Sequence, residues 1–535
     1  MYTIKFKAAR FNVIILLMLL TLPLLGQDYD VVISGGKIVD GSGNSWFYGD
    51  IGIRDGKVAA IGNLSSAAAA RKIDASGLIV APGFIDVHTH IETNDLIVPS
   101  APNFLFDGVT SVVTGNCGGS NTDIAQYFSR LDSVKMGINV ATLIGHNSVR
   151  RAVMGDAQRD PTSDEQRQME DLVARAMKEG AVGLSTGLIY VPGTYSRTPE
   201  VIGLAKAAAS YNGVYASHIR DEGDHVTEAI EEAVNIGRVN HMPVEISHFK
   251  VTYKPNWGRS ISTIEQVERA RKDGIDVTVD QYPYVASSTT LNTLLPTWAF
   301  SGGSDSLQFR LKDPETRKRI KTEMLKMLKG KLVKNYSYAV VARYGADTTM
   351  NGKNISEVNI AQGKKAKAEN EAETIMDMVA KGSAQMVYFS MNEDDLRNIM
   401  RYPFNMFASD AGIIKYGSGV PHPRGYGTNS RVLGSYVRDQ KVLRLEEAVR
   451  RMTSLPAQKF KLEDRGILKE GMAADVVVFD EATVGDPSTF SKPHAYSTGF
   501  RYVVVNGALA IDDGKITTSR NGQVLLGPGR TKQQQ

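Results

Sequence analysis

Cysteine is nearly missing from this chain: Cys117 is the only one among 535 residues. That excludes an internal disulfide, and a lone cysteine taken by itself is ordinarily a small buried hydrophobe. An excess of charge is missing too. The 62 lysines and arginines stand against 58 aspartates and glutamates, a net of +4, which over this length gives no footing for nucleic acid as a partner. The densest basic run, RKRIKTEMLKMLKGKLVK (317–334), spaces Ile320, Met324 and Met327 for one helix face with lysines on the other, and reads as a solvated helix. Long apolar runs are confined to FNVIILLMLLTLPLL, which follows Lys5, Lys7 and Arg10 with no acidic residue before Asp28. Its 15 residues fall short of the roughly 20 that a membrane span needs, and the pattern is that of a signal peptide ending near LLGQ. No cysteine stands there to be lipidated. The expectation is a signal peptide over residues 1–26 and an exported protein, periplasmic or secreted, with no stable membrane span after processing.

What is present has the composition of an ordinary globular enzyme, 42% hydrophobic and 22% charged. From Asp30 to Asp74 the chain reads as short strands and tight turns, DVVISGGKIVDGSG, GDIGIRDGKVAAIG and RKIDASGLIVAPG. The same texture returns in ADVVVFD (474–480) and RYVVVNGALAIDDGKI (501–516). Two distant β segments of like character predict one small β-sandwich built from both chain ends, with a larger domain between them.

The central region alternates apolar strands with helical periodicity. Eight candidate strands are GFIDVHTH (83–90), VTSVVTGNC (109–117), INVATLIGH (138–146), AVGLSTG (181–187), GVYASH (213–218), PVEISH (243–248), DVTVDQY (276–282) and NMFASD (405–410). Among the helices between them, GDHVTEAIEEAVNIGR (223–238) has Asp224 placed as an N-cap. Eight β/α units predict an α/β protein with a (β/α)8 TIM-like barrel. The long gap 283–404 predicts an inserted subdomain between strands seven and eight, with helices near 313–330 and 372–382 and an exposed loop at GKKAKAENEAE (363–373). The expected boundaries are 27–82 and 456–520 for the sandwich, 83–455 for the barrel with its insertion at about 290–400, and 521–535 for a tail.

In such a barrel, chemistry sits at the C-terminal ends of the strands. Strand one ends in His88-Thr89-His90, whose two imidazoles share a side by the period of two. Strand two ends on Cys117, strand five on His218, strand six on His248 and strand eight on Asp410, with His146 ending strand three. One buried histidine is usually a hydrogen-bonded core residue; the signal here is the set at equivalent positions. Nitrogen, thiolate and carboxylate donors together suit zinc better than magnesium or calcium. Six groups exceed one tetrahedral shell, so either two metals bind or some of the groups act on substrate. Cys117, His218 and His248 make a three-ligand site with a position left for water, and His88 and His90 either hold a second, weaker ion or complete the first. GLSTG (183–187) is glycine-rich but lacks the lysine and spacing of a phosphate loop.

The APGFIDVHTH opening and the ASD ending strand eight resemble the amidohydrolase superfamily. More narrowly, GNCGGS, GLSTGL, SHIRDEGD, ISHFK, DQYPY and HPRGYGTNSRVLG are similar to the D-aminoacylases, or N-acyl-D-amino-acid deacylases. The resemblance covers about Val32 to Asn506. Many superfamily members bridge two metals with a carboxylated lysine. No lysine ends strand four here, and a cysteine ligand instead marks the deacylase group. The resemblance implies zinc on Cys117, His218 and His248, with His88, His90 and Asp410 at a second or partly filled site. It also implies amide hydrolysis by a metal-activated water, with Asp410 taking that water's proton and handing it to the departing amine. Lys250, Tyr282, Ser288 and Arg424 are the residues it implies for a substrate carboxylate, while Arg220 and Glu222 are read as orienting His218. The expected substrate is a small N-acyl-D-amino acid. A dipeptide with a C-terminal D-residue is the alternative; a cyclic amide, or a non-catalytic binding protein, stands further off. His225, His241, His422 and His494 fall off the strand ends and receive no chemistry.

Overall fold

The computed structural model describes residues 28–531; the expected signal peptide lies outside the described residues. No helix among them is long and apolar enough to cross a membrane. The strand-and-turn texture at the chain ends produces sheet. Tyr29–Ile38 pairs antiparallel with Phe47–Arg54 and parallel with Ala69–Asp74. Val476–Phe479, from the other end, lies antiparallel on Ile79–Pro82 and carries Phe500–Val505 on its far side. Nine strands from both ends thus join in one hydrogen-bonded sheet. Val31, Ile33, Ile51, Ile53, Val476, Val478 and Val504 form a single buried cluster within it. Each such side chain contributes ~1.5–3 kcal/mol on burial, so apolar packing is what holds the two chain ends together.

The central strands are Phe84–Asp86, Val109–Thr114, Asn139–Thr142 continued by Ile144–Gly145, Gly183–Gly187, Val214–His218, Val244–Ile246, Val277–Gln281 and Asn405–Phe407. The first three pair in chain order, and those from Ile144–Gly145 onward pair in chain order as well, all parallel. Val182 N donates to Thr142 O, while Asp410 N donates to His88 O and His90 N to Ala411 O, each at 2.9 Å, tying the last strand to the first. Every residue of Gly183–Gly187, Val214–His218 and Val277–Gln281 is buried, as parallel strands covered on both faces require.

Helices follow most of these strands. Ser163–Glu179 opens with a Thr162–Glu165 capping box and closes at left-handed Gly180. Val226–Asn240 is capped at His225, not at Asp224, because the Asp224 carboxylate accepts instead from Asn256 Nδ2 at 2.9 Å. Between Val277–Gln281 and Asn405–Phe407 the chain builds an antiparallel sheet in the order Ser287–Thr290, Gln385–Tyr388, Ala339–Arg343. Helices Pro314–Gly330 and Ala368–Ala380 bury their apolar faces in a cluster separate from the main core. On Pro314–Gly330 the buried face is Ile320, Met324 and Leu328, whereas Met327 is exposed. Strict i, i+4 spacing decides that face. The GKKAKAENEAE loop is shorter than its charge suggests: helix begins at Ala368, since Glu369 and Glu371 suit a helix N-terminus.

Candidate active site

Five of the parallel strands deliver side chains to one point at their C-terminal ends. Cys117 Sγ lies 3.3 Å from His88 Nε2, 3.6 Å from His218 Nδ1 and 3.6 Å from His248 Nε2. Asp410 Oδ1 stands 3.2 Å from His90 Nε2 and 3.6 Å from His88 Nε2. The ligand atoms of Cys117, His218 and His248 lie within 4.8 Å of one another, as do those of His88, His248 and Asp410 and of His88, His90 and Cys117. Backbone geometry aims three of these residues. Cys117, His248 and Asp410 hold φ of 52°, 37° and 49°, left-handed values that cost non-glycine residues about 1–3 kcal/mol and persist only where the surroundings enforce them. Close packing of the strand ends allows the turn at Cys117: a Cβ on Gly187 would stand 2.1 Å from Cys117 O.

Around these groups stands a set of buried and half-buried partners. Asp280 Oδ2 faces His88 Nδ1 at 3.3 Å, and its Oδ1 accepts from His248 N at 2.8 Å. Glu222 Oε1 lies 3.0 Å from His248 Nδ1, 3.9 Å from His218 Nε2 and 2.5 Å from Lys250 Nζ. The outer nitrogens of His88 and His248 are thereby engaged, and their Nε2 atoms are left to point at the sulfur.

Burial pushes the Cys117 thiol well up and the His218 imidazole well down. Burial would also raise Asp410, but the Arg424 guanidinium and the neighbouring imidazoles outweigh it and hold the carboxyl well below the usual carboxylate range. Lys250 is raised, since Glu222 outweighs its burial. One sulfur, imidazole nitrogens and a carboxylate in this space form a zinc donor set. A dication there would reverse the burial penalty on the thiolate. The residues fit the metal.

Arg424 Nη1 is 2.9 Å from Asp410 Oδ2, its Nη2 donates to Ser288 O at 3.3 Å, and its guanidinium lies 4.4 Å from the centre of the Tyr282 ring. Lys250 Nζ lies 5.8 Å from the centre of the same ring. Arg424, Lys250 and Tyr282 are all buried. Ser288 joins this group through its carbonyl, because its hydroxyl donates to Met386 O at 2.7 Å. Two sequence readings do not hold. His146 is absent from the donor groups: it is the first residue of helix His146–Met154, and its Nε2 meets Glu200 Oε1 at 2.8 Å. Arg220 pairs with Glu232 at 2.9 Å, so only Glu222 of that pair reaches the imidazoles.

Sequence reasoning missed Asp280 and Tyr190. Asp280 carried a signal, as a carboxylate inside the apolar run VTVDQ and two residues before Tyr282. Tyr190 carried none; its ring packs edge-on against His218 with centroids 4.9 Å apart, and its hydroxyl accepts from Thr289 at 3.0 Å. Beside it opens a cleft of about 1380 Å³ bordered by Tyr190, Glu222, Tyr253, Thr289 and Trp298.

Known proteins are similar to this chain in sequence and in fold. The amidohydrolase family model matches residues 71–511. An N-acyl-D-glutamate deacylase of Alcaligenes xylosoxydans xylosoxydans is 37% identical over 524 residues, covering 93% of this chain and 97% of that protein. A D-aminoacylase of the same organism is 36% identical over 522 residues, 93% of this chain and 98% of that protein. The N-acyl-D-glutamate deacylase of Bordetella bronchiseptica, solved with zinc and a phosphonate mimic of the tetrahedral intermediate, superposes with a TM-score of 0.80 at 36% identity, covering 93% of this chain and 99% of that one. A D-aminoacylase structure on one-metal activation and second-metal attenuation in a binuclear centre gives 0.79 at 34%, covering 93% and 100%. With a family model over most of its length and relatives above 30% identity end to end, this chain belongs to the amidohydrolase family, among the N-acyl-D-amino-acid deacylases.

Proposed function

We propose that this protein hydrolyses the amide bond of N-acyl-D-amino acids in a zinc-dependent reaction. The observation that carries the reading is the convergence of Cys117, His218 and His248 beside an Asp410 carboxylate that is itself paired with Arg424. Cys117, His218 and His248 would hold the tight zinc, with His88, His90 and Asp410 at a second, weaker position. The D-aminoacylase described by one-metal activation and second-metal attenuation supports that division. Zinc, when bound, supplies Lewis acidity toward the amide carbonyl and a water made acidic enough to ionise near neutral pH. Asp410, kept ionised by its neighbours, accepts the proton of the attacking water and delivers it to the departing amine nitrogen. Arg424, Tyr282 and Lys250 face the substrate carboxylate, and Ser288 supports Arg424 from its backbone carbonyl. Tyr190 packs its ring edge-on against His218, between that imidazole and the cleft.

A dipeptide with a C-terminal D-residue is the second reading. The 1380 Å³ cleft beside Glu222 and Tyr190 favours it, being far larger than an acetyl group requires. The frame in this proposal is a (β/α)8 TIM-like barrel over 83–455, with a subdomain inserted at about 290–400 and a β-sandwich from 27–82 and 456–520. The protein is exported by residues 1–26 and works in the periplasm or outside the cell. The test is a screen of N-acetyl-D- and N-acetyl-L-amino acids and mixed dipeptides, with zinc counted on the same sample. Hydrolysis of the D-series by zinc-bearing protein is expected. A zinc-free preparation that zinc cannot bind or activate, inert toward every amide, would overturn the reading.

A further inference from the structure

His422 lies outside the donor cluster, yet both of its ring nitrogens are committed to the segments that frame Arg424. His422 Nδ1 accepts the Arg424 backbone N–H at 3.0 Å, and Nε2 stands 2.9 Å from Ala286 O. Only one tautomer satisfies both contacts, with the proton on Nε2. The first contact is an acceptor-to-i+2 bond of the kind an asparagine makes in an Asx turn. The second fastens the same loop to the chain just ahead of Ser288, whose carbonyl accepts from Arg424 Nη2 at 3.3 Å. The ring is buried and held edge-on by Tyr284 and Phe490, with centroids 5.2 Å and 5.0 Å away. One imidazole therefore joins the loop after the last parallel strand to the start of Ser287–Thr290 and presents the guanidinium to Asp410.

We propose that His422 is the positioning residue for Arg424, and that through Arg424 it sets the preference of the site for a substrate bearing a free carboxylate. The inference rests on reading Arg424 as the carboxylate anchor. A misplaced guanidinium loses a charge-assisted bond, so His422→Ala is expected to raise KM about tenfold for an N-acetyl-D-amino acid. The matching carboxamide, which offers no charge to Arg424, should change by less than about threefold. His422→Asn, which can restore the acceptor for the Arg424 N–H, should recover most of the carboxylate preference. His422→Gln should not.

The experiment measures kcat and KM on the acid and its carboxamide for wild type, these three variants, Arg424→Met and the His422→Ala/Arg424→Met double variant, with thermal melting of each. Support is a His422→Ala effect that disappears once Arg424 is gone. Equal KM changes on acid and amide, independent effects in the double variant, or an Arg424→Met enzyme that keeps its carboxylate preference would each overturn the proposal. If His422→Ala fails to fold, Asn against Gln decides it, and equal behaviour of those two overturns it. A wild type inactive on every N-acyl amino acid would sink the proposed reaction instead, and would be recognised before any variant is compared.

Discussion

Two buried polar clusters sit at the ends of parallel strands, and each contains a strand-end histidine. At His146, the imidazole Nε2 lies 2.8 Å from Glu200 Oε1, and Arg150 Nε lies 3.6 Å from the same oxygen. Arg150 also donates to Arg159 O at 2.7 Å. One carboxylate meets one guanidinium, and the imidazole spends its nitrogen inside the pair. At Cys117 the arrangement is reversed. Imidazole nitrogens from three strands face a single sulfur, while Asp280 and Glu222 occupy the outer nitrogens of His88 and His248. Converging lone pairs call for a cation; a closed ion pair does not. The lesson is that a histidine at a strand end becomes a ligand only when its partners leave its inner nitrogen available.

Breaking the donor cluster should give the largest effects. Asp410→Asn removes the proton acceptor but keeps an oxygen near Arg424, so turnover should fall by about 10²–10⁴-fold while the tight zinc stays. Steady-state kinetics with zinc counted on the same sample check this, and retained turnover would remove Asp410 from its role. Cys117→Ala deletes the one thiolate, and the purified protein should carry less than a full equivalent of tight zinc. Metal analysis after dialysis decides it; unchanged zinc would mean that the sulfur is no ligand.

The second cluster should respond in stability rather than in metal content. His146→Ala keeps the Glu200–Arg150 pair but takes the imidazole away from a buried carboxylate oxygen of Glu200, a loss of ~1–3 kcal/mol. Urea denaturation should show that loss with zinc content unchanged. Zinc loss on this substitution would erase the contrast between the two clusters. The smallest effect belongs to Ser288→Ala. Its carbonyl still meets Arg424, and what is lost is the hydroxyl's bond to Met386 O and the one it accepts from Gln385 Nε2, each worth ~0.5–1.5 kcal/mol. KM should shift by no more than about threefold on that scale, and a much larger shift would show the hydroxyl itself meeting substrate.

The strand-end donor residues were legible because period and position are local properties. A run such as PVEISH ends where its apolar alternation ends, and Cys117, His218, His248 and Asp410 stood out on that ground. His146 was legible in the same way and misled, because the rotation of a helix start toward Glu200 leaves no mark in the run INVATLIGH. Arg220 misled similarly: SHIRDEGD places it beside His218, but its partner Glu232 comes from the following helix. Asp280 and Tyr190 escaped notice because their importance lies in neighbours far away in sequence, His88 and His218.

The sequence by itself determined which residue types the strand ends carry and the periods that make them strands and helices. It also determined the single cysteine that can serve only as thiol or thiolate within this chain. Tertiary structure alone decided which of those side chains share a point and which nitrogen of each imidazole faces inward. It placed Arg424 across Asp410 through His422, Ser288 and Tyr282. The reason is physical. Propensity and periodicity act over a few residues, whereas lone-pair direction, burial and charge balance are set by groups brought together from hundreds of residues apart.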